Sequence, residues 1–276
     1  MLQTALYHYL RKECDTVADA YDRLQQSPAD ADAVHVLRVG VKKLRAFFSL
    51  AQQLPGYAFG AGKHLHEVRL IQGISGASRD AYLQEKRLQQ YEKKVDWRFS
   101  AAHLLLHSRR DTAKDMLEIT LKHCSLKKLG NLPEKFRKAI EDIDPDAATT
   151  ALSDYLQQQH QHIQLPASKA HHTVWHGVRK EVKSLYYQVS MLDQLLPAVY
   201  TDHLADHARK AGELLGQWHD TSELLLFVRN TATQVRKAKM SLPVNVKQMI
   251  SLLQKDMKEE LALCADQVRK LQNIFL

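Results

Sequence analysis

Cysteine, aromatic residues and long apolar runs are all scarce in this chain, and each scarcity removes a class of protein. The three cysteines, Cys14, Cys124 and Cys264, are too few and too scattered for a disulfide framework or a thiolate metal site. They read as reduced thiols of a cytoplasmic protein. No stretch of 18 uninterrupted apolar residues occurs, so no helical membrane span is expected. Residues 1–8 lack the basic start and apolar centre of a secretion signal. Phe, Trp and Tyr make up only 7% of the 276 residues, which gives little support for strands. Two signatures of catalytic loops, G-x-x-x-x-G-K-[ST] and G-x-S-x-G, are also missing.

What the chain does contain is Leu, Ala, Lys, Gln and Glu, with apolar residues recurring at helical spacing. The fold class this predicts is all-α. The breaks divide the chain into helices over about 2–26, from Asp32 as N-cap to just before Pro55, 60–74, from Ser78 past Tyr91, and 101–127. Helices over about 147–164, 168–196, 198–215, 219–240 and 244–273 follow, with Pro166, Pro197 and Pro243 at the breaks. Gly130-Asn131-Leu132-Pro133 and Asp144-Pro145-Asp146 mark residues 129–146 as the connector between halves 1–128 and 147–276. Long helices joined by short loops predict two similar antiparallel four-helix bundles.

Two sequences 141 residues apart share one pattern, H-x-x-R-x-x-V-K-x-L: His35 to Leu44, and His176 to Leu185. Each is followed by a companion, Gly76-Ala77-Ser78-Arg79-Asp80 and Gly216-Gln217-Trp218-His219-Asp220, with Arg69 and Arg209 also in register. This predicts an internal repeat. At 100° per residue, His35, Arg38, Lys42 and Arg45 share an arc of about 80°. Leu37, Val41, Leu44 and Phe48 form a separate apolar stripe. In the second copy His176, Arg179, Lys180 and Lys183 stand beside Val178, Val182, Leu185 and Val189. Like charges one and two turns apart destabilise an isolated helix, so a sequence that does this twice in register is holding them for an anion. The formal charge of +8 is uneven: residues 1–140 carry 24 Lys and Arg against 15 Asp and Glu, leaving 15 against 16 in residues 141–276. The N-terminal half therefore dominates long-range attraction of anions.

These two motifs and their companions resemble the CHAD domain, the conserved histidine α-helical domain, over essentially the whole chain. The resemblance implies two similar bundles facing each other across a basic groove, binding of inorganic polyphosphate, and in some members association with polyphosphate granules. It carries polyphosphate-binding roles onto His35, Arg38, Lys42, Lys43, Arg45, His66, Arg69 and Arg79 in the first half. In the second half they fall on His176, Arg179, Lys180, Lys183, His207, Arg209, Lys210 and His219. Tyr186 stands where an Arg is usual, and His219 replaces the Arg of the first companion, so the second half carries less charge. The alternating-glutamate strand of the triphosphate-tunnel enzymes often fused to this family is missing.

Polyphosphate presents exposed oxygens and no bases, and so calls for rows of Lys and Arg, with Arg able to contact phosphate in bidentate fashion. His35 and His176 can donate to phosphate when protonated. Asp80 and Asp220 are expected to orient basic side chains. An RNA- or DNA-binding helical protein is the main alternative, since the isoelectric point near 9.3 suits a phosphate backbone; the stripes lack interleaved stacking aromatics apart from Tyr186 and Tyr187. A phosphotransfer enzyme using His35 or His176 as phosphoacceptor is a third, but no acid–base pair accompanies the motif. No cofactor or metal is expected: neither motif histidine has a His or carboxylate four residues after it, and the cluster of His171, His172 and His176 reads as adventitious.

Overall fold

The computed structural model of the protein describes residues 2–167, 170–195 and 202–274. Every regular element among them is a helix: α1 (Leu2–Gln26), α2 (Ala31–Ala51), α3 (Gly62–Val95), α4 (Ser100–His123), α5 (Lys127–Gly130), α6 (Leu132–Ala139), α7 (Pro145–His162), α8 (His172–Leu195), α9 (Asp202–Lys237) and α10 (Val244–Gln272). The all-α expectation holds. Apolar residues at i, i+4 and i+7 drive the pairing: α1 buries Leu2, Leu6, Leu10, Val17 and Leu24 on one face, and α7 buries Ala148, Leu152 and Leu156. Both stripes of the motif helices are buried, Leu37, Val41, Leu44 and Phe48 on α2 and Val178, Val182, Leu185 and Val189 on α8.

Several boundaries differ from expectation. The N-cap of α2 is Asp30, not Asp32; its carboxylate accepts from the backbone N–H groups of Asp32 (3.0 Å) and Ala33 (2.9 Å). The break expected around Gly73–Gly76 does not exist, and Ser78 is no cap, because α3 runs unbroken for 34 residues. The second-half break between 215 and 219 is likewise absent, and α9 spans 36 residues. An interior glycine costs a helix only about 1 kcal/mol, which packing on both sides outweighs. The break at Pro197 lies outside the described residues. The expected connector is itself structured: α5 and α6 occupy much of it, and Leu129, Leu132, Phe136 and Ile140 are buried.

The long helices also change how the core is divided. Buried apolar residues sort into two clusters, and each draws on both halves of the sequence. The larger joins α1, α2 and α8 to Leu65, Val68 and Ile71 of α3, Leu117 and Leu121 of α4, Leu204 to Trp218 of α9, and Cys264 to Leu271 of α10. The smaller joins the other ends of the same four helices: Leu88 and Tyr91, Ala102 and Leu106, Leu224 and Val228, and Met249 and Leu253. Between the clusters, α3 and α9 pass through stretches rich in polar residues, Gln72 to Asp80 and His219 to Glu223. Hydrogen bonds tie this belt together. Arg87 of α3 donates to Glu260 of α10 (2.8 Å) and to the hydroxyl of Thr221 on α9. Among the described residues no helix is long and apolar enough to cross a membrane.

Candidate anion-binding site

The two motif helices, α2 and α8, pack against each other, and their charged stripes border the polar belt. On α2, the Arg38 guanidinium reaches across to α3. It donates to the carbonyl of Gln72 (3.0 Å) and pairs with Asp80 (3.6 Å), while the Gln72 amide donates back to the Arg38 carbonyl (3.1 Å). Gly76 makes this approach possible. A Cβ there would sit 2.3 Å from Nη1 of Arg38, well inside van der Waals contact. The companion glycine is thus a docking surface for the motif side chain rather than a helix stop. On the other side, Lys183 of α8 runs over Gly212 and Gly216 of α9, its Nζ 3.9 Å from a Cβ placed at Gly216.

The charges brought together perturb one another. Burial pulls Lys42 below the ordinary lysine value, and Arg38 and Arg179 pull it further, so the second motif acts directly on the first. Lys183 is pushed down to about 8 by burial, then by Arg179 and Lys42, with Asp220 opposing. Burial also disfavours the charge of Arg179, which Asp220 and Asp80 support; a guanidinium nonetheless remains protonated. Nε of Arg179 is buried without a hydrogen-bond partner. Asp220 is raised by burial and held back by Arg87, Arg179 and Lys183. Asp80 therefore pairs with a basic side chain, as its position in the companion element implied, while Asp220 acts on Arg179 and Lys183 through its charge.

The histidines follow the same pairing. Burial and then Arg79 and Lys42 lower the pKa of His35, and burial followed by Lys180 and Arg179 lowers that of His176. His219, standing where the first half has Arg79, has its ring 4.9 Å from that of His176 and is pushed down to about 4 by burial and then Arg179.

Not every candidate joins this centre. Lys43 is committed to Glu13 of α1 (2.8 Å), a carboxylate whose side chain is only 3% exposed. His207 is hydrogen-bonded to Gln267 of α10 (3.1 Å). Arg209 pairs with Asp206 (2.7 Å) and Glu213 (2.9 Å), and Lys210 with Asp206 (2.5 Å), all along the surface of α9. His66, Arg69, Arg45 and Lys180 are exposed; Arg69 lies two turns before Gly76, within about 20° of it around α3, and Arg45 is close enough to act on Lys42. Arg79 lies near the Tyr82 ring, 6.0 Å from its centre. Reading the sequence did not pick out Gln72 or Arg87, whose roles depend on contacts 34 residues and more away. The glycine at a fixed offset before each companion Asp was the one signal available.

An all-helical architecture with two basic helices packed together, each docked on a glycine-bearing partner, defines the class of protein. Residues 7–229 match the CHAD domain, and the chain belongs to that family. Its fold is similar to that of a solved structure, PptA from Streptomyces chartreusis, with a TM-score of 0.64 and 98% of each chain covered at 16% identity. No curated protein matches the chain.

Proposed function

We propose that this protein binds inorganic polyphosphate, without catalysing a reaction, along a basic groove formed where α2 and α8 meet. One observation carries the reading: Lys42, Arg179 and Lys183, drawn from both motifs, are half-buried together, with Arg179 disfavouring the charge of both lysines and Lys42 that of Lys183. Clustering like charges out of water costs stability in a free protein. An arrangement of this kind is retained where an anion removes the cost, and phosphate oxygens match its Arg and Lys donors. Arg38, Arg79, Arg45, Lys180 and His35 extend the stripe at the surface. Membership of the CHAD family supports a polyanion as ligand. Nucleic acid is the less favoured polyanion, because the stripes carry few aromatics on which successive bases could stack: Tyr186 and Tyr187 pack on each other, and Tyr82 lies beside Arg79.

The deciding experiment is competition. Polyphosphate is expected to displace a labelled single-stranded oligonucleotide at a far lower phosphate concentration than the reverse. The logarithm of its affinity should fall linearly with the logarithm of salt, by at least about tenfold between 50 and 200 mM. A flat salt response would remove the electrostatic mechanism, and equal displacement in both directions would favour nucleic acid.

The depressed lysines also predict a pH dependence. Lys183 in the free protein loses its proton near pH 8, whereas a bound polyanion favours the charged form. Below pH 8 it is charged in both states and contributes a constant amount. Above pH 8 binding must take up a proton, so affinity falls as pH rises, by about tenfold between pH 7.5 and 9.5. Titrating wild type and Lys183→Arg over this range checks it: the arginine, charged throughout, should flatten most of the slope.

A further inference from the structure

We propose that His172, His219 and Glu223, with His176 alongside, form a binding site for a divalent transition-metal ion of the zinc class. The site joins two adjacent helices that each present a pair of donors one turn apart. On α8 these are His172 and His176; on α9 they are His219 and Glu223. His176 has Lys180 four residues after it, but a histidine, His172, four residues before it. One ring nitrogen from each of His172 and His219 and a carboxylate oxygen of Glu223 all lie within 4.8 Å of one another. The three imidazoles crowd together, with ring centres 4.9 Å apart for His176–His219, 6.0 Å for His172–His219 and 6.4 Å for His172–His176. Trp218 covers one side, its ring 4.9 Å from that of His172.

The hydrogen bonding separates this cluster from an ordinary polar contact. Nε2 of His172, Nδ1 of His176 and Nδ1 of His219 are buried and have no partner. A buried nitrogen left unpaired is costly, and here three such atoms belong to one cluster of rings. Glu85, His103 and His107 make a contrasting group of similar composition. There His103 bonds both Glu85 (3.3 Å) and Glu92 (3.0 Å), while His107 and Arg110 close on Glu85 at 3.2 and 2.7 Å. That group is a hydrogen-bonded network joining α3 to α4, in which both ring nitrogens of His103 are paired.

Two imidazoles and a carboxylate make a donor set suited to zinc, with a fourth position left for His176 or water. Ligand distances of about 2.0–2.1 Å require the side chains to close by roughly 1 Å, within reach of rotamer adjustment. The neutral imidazole is the ligating form. Arg179 and Lys183 oppose a dication here, whereas Glu223 and Asp220 favour it, so affinity should be on the order of micromolar rather than nanomolar.

The test uses the full-length, metal-stripped protein in phosphate-free buffer, with no polyphosphate present, so its outcome does not depend on the polyanion reading. Zn2+ is titrated calorimetrically, and Co2+ is added as a spectroscopic probe. The expected result is about one ion per chain and visible Co2+ absorption of low-coordinate type, displaced by Zn2+ but not by millimolar Mg2+. His219→Gln with Glu223→Gln should weaken Zn2+ binding at least about tenfold, while His107→Gln should leave it unchanged. Wild type and the double variant binding Zn2+ alike would overturn the proposal, as would a loss of binding in His107→Gln alone. His172→Gln provides a second route should the double variant fail to fold.

Discussion

Reversing Arg38 and Arg179 together, as Arg38→Glu with Arg179→Glu, is expected to weaken polyphosphate binding by at least about 100-fold. Two charge-assisted contacts at about 1.5–3 kcal/mol each are lost, and two negative charges are added beside Lys42 and Lys183. Both positions are central to the packed pair of motif helices: Arg38 is bonded to Gln72 and Asp80, and Arg179 depresses both Lys42 and Lys183. Lys93 and Lys94 provide the comparison. They end α3 at the far side of the smaller apolar cluster, and Lys94 pairs with Asp256 (3.0 Å) in a half-exposed contact, which is worth at most about 1 kcal/mol. Reversing those two changes net charge by the same amount and should leave affinity within a few-fold. Calorimetric titration of both double variants at one salt concentration reads the difference, with circular dichroism confirming helical content. Equal weakening in the two variants would mean that the protein attracts polyanions through diffuse charge and that no groove exists. Milder Arg38→Gln and Arg179→Gln changes give the same ordering if a reversal proves destabilising.

What could be read from the sequence and what could not divides along local and distant interactions. The stripes of α2 and α8 were legible because a helix is a local object: residue spacing alone places Leu37, Val41 and Leu44 on one face and Arg38 and Lys42 on another, and burial follows that division. The continuity of α3 was not legible. Gly73 and Gly76 look like a break because glycine weakens helices, yet Gly76 is the surface on which Arg38 lies, and only the packing of α2 reveals it. Lys43 illustrates the same limit. It stands inside the motif next to Lys42, but its partner is Glu13, 30 residues earlier on a different helix. Arg209 and Lys210 look like unpaired cations until Asp206 and Glu213, one turn away on α9, are counted as their partners. That pairing was available in the sequence, since i, i+3 and i, i+4 contacts follow from helix geometry.

The segment 129–146 carries the largest expected effect on stability. Phe136→Ala is predicted to cost about 3–5 kcal/mol, although composition marks its surroundings as a connector. Phe136 is fully buried and sits at the centre of an aromatic group, its ring 5.0 Å from Phe47, 5.9 Å from Phe48, 6.2 Å from Tyr57 and 6.4 Å from Phe59. Truncation leaves a cavity that these rings cannot fill without giving up their present packing, edge-on for Phe47, Phe48 and Phe59. Phe47 and Phe48 belong to α2, on the side of the helix that fixes where Arg38 and Lys42 point, so the ring also supports the site from behind. The same reasoning excludes dissecting the protein into residues 1–140 and 141–276, since both apolar clusters would be split. Chemical denaturation of Phe136→Ala should move the unfolding midpoint to markedly lower denaturant with the slope unchanged. Its folded fraction at low temperature should still bind polyphosphate within a few-fold of wild type. A loss under about 1 kcal/mol would mean that α6 is a detachable connector after all, and that α2 takes its orientation from α1, α3 and α8 alone.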